Sequence, residues 1–123
     1  MLRLLRLLAT KSKYMATLKK RKGLYRRALT SDPNLIDAAT NLGVIEAQGG
    51  HLPEAILLFE GAFERAPGRS AAGMNLARVF CLAGKIDNAR ATTARVLEFN
   101  PDMTEAKDFL KNLEAANSQC NAN

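Results

Sequence analysis

At 123 residues and 13.4 kDa the chain is one domain's worth of sequence, large enough to bury a core and too small for separate catalytic and regulatory domains. Apolar residues make up 47%, Ala and Leu dominate, and there are only 4 prolines, so an all-α chain is predicted rather than a sheet protein. The net charge of +6 is unevenly divided: residues 1–31 hold ten Lys and Arg and no acid, whereas the remainder holds eight basic residues against twelve acidic.

The first segment, residues 1–17, opens MLRLLRLLAT. Arg3 and Arg6 interrupt the leucines, so there is no uninterrupted apolar run of roughly 20 residues of the kind that spans a membrane. The same charges argue against a secretory signal, whose apolar core is free of them. Wound as a helix, Arg3 and Arg6 fall together while Leu2, Leu4, Leu5 and Leu8 spread over the rest, giving a basic amphipathic segment. Three roles fit it: a docking helix covering the adjoining chain, a membrane-surface or phosphate contact, and a mitochondrial targeting peptide.

The next segment, 18–35, contains KKRKGLYRR, whose Lys19, Lys20, Arg21, Lys22, Arg26 and Arg27 form a dense positive patch that phosphate favours. Specific nucleic-acid reading is disfavoured, because no recognition motif accompanies the charge and Tyr14 and Tyr25 are the only aromatics in residues 1–31.

From here the sequence repeats. Pro33, Pro67 and Pro101 stand 34 residues apart, and the same step pairs Asn41 with Asn75, Gly50 with Gly84 and Ala55 with Ala89. It also aligns Leu42 with Leu76 and Leu110, and Tyr25 with Phe59 and then Thr93. Within a period the apolar residues recur at three- and four-residue steps, first through Ala38, Leu42 and Ile45, then through Ala55, Leu58, Phe59, Ala62 and Phe63. Each period therefore reads as two helices. Gly49-Gly50 closes the first and Pro53-Glu54 opens the second; in the following period Gly84 closes and Asp87 is placed to cap the restart. Gly43, Ala77, Ala55 and Ala89 are small where antiparallel helices would approach most closely.

These residues resemble the tetratricopeptide repeat family, whose 34-residue helix-turn-helix unit carries an aromatic, Leu-Gly, aromatic, Ala, aromatic, Pro pattern. Residues 36–69 match at Leu42, Gly43, Ala55, Phe59 and Pro67, and residues 70–103 at Leu76, Ala77, Phe80, Ala89 and Pro101. Tyr25, Ala28 and Pro33 resemble the second helix of a preceding partial unit, and 104–117 resembles the polar helix that caps such arrays, leaving 118–123 as a tail. The pattern is departed from at Ala39 and Gly73, where the family often has Trp, and at Glu46 and Thr93, where it has aromatics; looser packing is expected around the helix that carries Thr93. Leu5, Leu8 and Ala9 stand one period before Ala39, Leu42 and Gly43, which would give a degenerate first helix at 2–15. Arg21, however, occupies the column of Ala55 and Ala89, so either the hairpin opens there or residues 1–30 form one long helix.

The resemblance implies a short right-handed superhelix of antiparallel helix pairs, about six or seven helices in all, that binds an extended peptide or partner helix in its concave groove. The groove residues it implies are Thr40, Asn41, Val44 and Gln48 in the first unit and Met74, Asn75 and Arg78 in the second. Asp37, Ala71 and Glu105 also fall on that inner face, with Asp108 and Asn112 on the cap. Asn41 and Asn75 offer amide donors and acceptors to a ligand main chain, or are solvated or bonded to the next repeat; Arg78 suits a ligand carboxylate. Met74 is more often filler than a recognition residue. Asp37, Ala71 and Glu105 stand where chaperone-binding relatives need basic residues, which argues against that specificity.

Catalysis has little to stand on. His51 is the only histidine, it lies in a turn where solvation is expected, and no phosphate-binding loop or carboxylate cluster accompanies it. Cys81 and Cys120 make neither a disulfide framework nor a metal-ligand spacing, so a reducing, cytoplasmic setting without cofactors is expected, or a mitochondrial one if the head is a targeting peptide. The expectation is a non-enzymatic adaptor for a protein partner, with peripheral membrane contact through the N-terminus and pairing of two copies through the array ends as further modes.

Overall fold

The computed structural model describes the backbone of residues 2–115 and residue 120, with side chains from Tyr14 onward. Among these residues there are six helices and no strand: α1 (Leu2–Ser31), α2 (Ile36–Gln48), α3 (Leu52–Arg65), α4 (Ser70–Leu82), α5 (Ile86–Phe99) and α6 (Thr104–Glu114). Each packs on the next, and α2 also touches α4. Short connections and alternate contacts of this kind are those of helical hairpins stacked into an α-solenoid.

The corners follow from the glycines. Gly50 and Gly84 are the two described residues with left-handed backbone, at φ 81° and 78°. Each lets the chain reverse through a Schellman arrangement: the amide of His51 donates to Glu46 O at 2.8 Å and that of Gly50 to Ala47 O at 3.0 Å. One period on, Lys85 donates to Phe80 O at 2.8 Å and Gly84 to Cys81 O at 3.0 Å. Pro53 then sits in the first turn of α3, where its missing amide hydrogen costs nothing. Asp87 differs from its expected role. The N-cap of α5 is Lys85, and Asp87 lies inside the first turn, where its carboxylate accepts from Arg90 Nη1 at 3.2 Å.

The turns between hairpins are tied to each other across the period. Arg65 Nη1 donates to Pro33 O at 2.6 Å, and Asn100 Nδ2 to Gly68 O at 3.4 Å. The core runs through these hairpins as a single cluster whose larger aliphatic and aromatic members include Phe59, Phe63, Leu76, Phe80 and Leu113. Gly43 lies against the Phe59 ring, so that a Cβ there would come within 2.6 Å of it. Gly73, in a column where the family often has Trp, is backed by Val96 and the Phe63 ring. Thr93 is fully buried, and its hydroxyl donates to Ala89 O at 2.7 Å.

The N-terminal segment follows the second of its two expected courses. α1 is one helix of 30 residues with no break near Arg21. The physical reason is local: no Gly or Pro stands between residues 1 and 22 to turn the chain, and Arg21 is exposed where a hairpin would need a small residue against its partner. At 1.5 Å per residue α1 is about 45 Å long and α2 about 20 Å, so α1 overhangs the array by about 25 Å. Where it does pack, Leu18, Lys22, Tyr25 and Leu29 are half-buried at helical steps on the side facing α2.

The cysteines also differ from expectation. Cys81 is 4% exposed in the core, and Cys120 packs against that core and is disulfide-bonded to it, with Cα atoms 5.4 Å apart. Helical geometry explains why spacing did not reveal this. The link depends on α5 and α6 carrying the chain out and back over 39 residues, which no local pattern encodes.

Candidate functional site

α2 and α4 run side by side, and their N-terminal halves enclose a cavity of about 360 Å³ lined by Ile36, Asp37, Thr40, Asn41, Arg69, Ala71 and Ala72. Two of the sequence-derived groove residues, Thr40 and Asn41, line this cavity. The Thr40 hydroxyl is already used, donating to Ile36 O at 2.9 Å. Asn41 is exposed, and among the described residues its amide makes no hydrogen bond. Asp37 and Arg69 face each other across the mouth at 2.8 Å, but at 86% and 58% exposure they hold it only loosely.

The other residues expected in a groove are spread along α2 and α4. Val44 is half-buried against the core, and Gln48 is exposed at the far end of α2. Asn75 accepts from Arg78 Nη1 at 3.4 Å, and Arg78 also forms an ion pair with Glu105 of α6. The Arg78 guanidinium therefore links α4 to α6, and a ligand carboxylate would have to compete with Glu105 for it. Met74 is 2% exposed and belongs to the core cluster, so its side chain is filler. Asp37 and Glu105, the acids of the column that a carboxylate clamp would need basic, each carry an arginine partner.

A second cavity, of about 380 Å³, lies at the turn into α6 and is lined by Ser70, Phe99, Asn100, Pro101, Asp102 and Met103. It contains none of the sequence-derived site residues.

The basic patch divides into two sets. Glu46, 4% exposed on α2, receives Lys22 Nζ at 2.8 Å and Arg26 Nη2 at 3.4 Å from α1, and His51 Nδ1 at 2.8 Å from the corner. Burial alone would push the Glu46 carboxyl up, but the hydrogen bonds and charges of Lys22 and His51 outweigh it and hold it below the usual carboxylate value. His51 is therefore bonded as well as partly solvated. Lys19, Lys20, Arg21 and Arg27 are exposed and pair with no acid among the described residues. Sequence reasoning registered Glu46 only as a lost aromatic; the signal that could have found its role was an acid in a column where the family has an aromatic, next to an acid-free helix.

A tetratricopeptide repeat model matches residues 46–113, more than half of the chain. The chain belongs to the tetratricopeptide repeat family. Repeats of this family are generally protein–protein interaction modules, and they generally act as non-enzymatic adaptors. No curated protein matches the chain. Its tetratricopeptide repeats offer no metal cluster and no free thiol among the described residues. No described helix is long and apolar enough to cross a membrane.

Proposed function

We propose that the chain is an adaptor that takes an extended segment of a protein partner along the α2–α4 face, with Asn41 fixing the ligand main chain. The observation that supports this most is the cavity between α2 and α4, lined in part by the exposed Asn41 amide, which has no hydrogen bond among the described residues. An amide of this kind can donate to one peptide group and accept from another, the pairing that an extended main chain offers. Asn75, one period on and half-buried, gives a second such contact once it leaves its long bond to Arg78. Arg78 and Glu105 contribute shape rather than affinity in this reading, since each already satisfies the other.

The test is peptide selection on the immobilised full chain from a random library, followed by mapping of the selected peptide by amide chemical shifts. Shifts centred on Thr40, Asn41 and Ala71 are expected. An Asn41→Ala/Asn75→Ala variant, folded by circular dichroism, should bind up to roughly tenfold more weakly per lost hydrogen bond. Shifts confined to α3 and α5 would place the ligand on the opposite side and end the groove reading. Arg78 is left intact because its removal would free Glu105 and disturb α6.

A further inference from the structure

The outer face of α1 carries a line of charge for which the groove has no use. Basic residues stand at positions 6, 13, 20 and 27, a seven-residue step maintained along the helix. Seven residues fall about 20° short of two full turns, so the four positions keep to one side of α1 over about 32 Å. In the part with described side chains, Lys20 and Arg27 are exposed and Arg21 stands beside them. Leu24 is 55% exposed between these cations, four residues after Lys20 and three before Arg27. This side faces away from Leu18, Lys22, Tyr25 and Leu29, which pack toward α2.

The Glu46 cluster sharpens the division. Lys22 and Arg26 are drawn inward to a buried carboxylate, whereas Lys20, Arg21 and Arg27 have no acid partner among the described residues, on a helix that contains no acid at all. An exposed leucine ringed by unpaired cations suits a surface that is anionic outside and apolar just beneath. We propose that this face of α1 docks the protein on an anionic lipid surface, Lys20, Arg21 and Arg27 meeting headgroup phosphates and Leu24 entering the headgroup layer. A single-stranded nucleic acid fits less well, because bases need aromatic platforms: Tyr25 is half-buried toward α2, and Tyr14, though 57% exposed, stands about 120° round the helix from Lys20.

The test uses the full chain and extruded vesicles of phosphatidylcholine alone or mixed with phosphatidylserine. Sedimentation with the mixed vesicles only, reversed by raising salt, is expected. Lys20→Gln/Arg21→Gln/Arg27→Gln keeps good helix formers and should weaken partitioning on the order of 100-fold, at about fivefold per charge. Leu24→Ser should weaken it several-fold at unchanged charge, while Asn41→Ala/Asn75→Ala should bind vesicles as the wild type does. If circular dichroism shows the triple variant unfolded, Lys20→Gln/Arg27→Gln carries the test with a loss of about 30-fold. The proposal is overturned by equal sedimentation with both vesicle types, by variants that bind as wild type, or by an oligonucleotide that strips the protein from the vesicles.

Discussion

Lys22 of α1 reaches Glu46 of α2 at 2.8 Å, and the carboxylate it meets is buried while the lysine itself stays about one quarter exposed. This pairing joins the long N-terminal helix to the repeats, and it makes the joint sensitive to acid. Glu46 titrates below the ordinary carboxylate value of about 4.3 because Lys22 and His51 together outweigh the effect of burial. With its folded value depressed, its contribution to stability is fully present above the unfolded value and is lost as pH falls through the folded one. Thermal melts from neutral pH to pH about 3 should therefore decline more steeply for wild type than for Glu46→Gln, which keeps the shape and loses the titration. Parallel curves would mean that Glu46 is not coupled to folding.

Gly43 and Gly23 should respond in opposite ways to the same substitution. A Cβ at Gly43 would stand 2.6 Å from the Phe59 ring, so Gly43→Ala must move a core aromatic and should cost about 1–3 kcal/mol. Nothing lies within 4 Å of a Cβ at Gly23, which sits inside helix α1, so Gly23→Ala should gain about 0.5–1 kcal/mol. Urea denaturation of the two variants checks both signs.

The parts of this architecture that were legible in the sequence are those encoded locally or by the period. Gly50 and Gly84 announce their corners because a left-handed backbone selects glycine, and Phe59, Ala62 and Leu76 announce buried faces through their spacing. Thr40 and Asn41 could be assigned to the α2 face from register alone, but register says nothing of how α6 engages Arg78 through Glu105. Met74 shows the same gap: its register suggests the inner face, yet the surrounding helices cover it. Glu46 reads as a departure until Lys22 is known to lie opposite, 24 positions earlier on another helix. Long-range pairing, rather than propensity, is what single-sequence reasoning lacks at these sites.

Phe63 connects three helices, and its loss should spread beyond its own. It is 1% exposed on α3, its ring backs Gly73 of α4, and the Arg95 guanidinium of α5 lies 5.0 Å from its centroid. Phe63→Ala should cost about 3–5 kcal/mol, from the lost burial of the ring and from the cavity left between hairpins. The cation over the ring adds on the order of 0.5–1 kcal/mol at this partly exposed position. A shift of the urea midpoint well beyond that of Arg95→Ala is the expected result; equal shifts would mean that the ring contributes only its contact with the arginine.

Cys120 and Cys81 close a loop of about 40 residues that contains α5 and α6, and a cross-link of that length restricts the unfolded chain by up to about 4 kcal/mol. Reductant should therefore lower the melting temperature of the oxidised wild type. Cys120→Ser is the cleaner variant for comparison, since Cys81 lies in the core and a hydroxyl there would be buried. That variant should melt near the reduced wild type and show no response to reductant. After reduction α6 is still held by the Arg90 hydrogen bond to Leu113 O at 3.1 Å and by Arg78 to Glu105. Hydrogen exchange should accordingly quicken in α6 and leave the α2–α3 hairpin unchanged. Identical melting with and without reductant would show that the disulfide adds nothing to what packing already supplies.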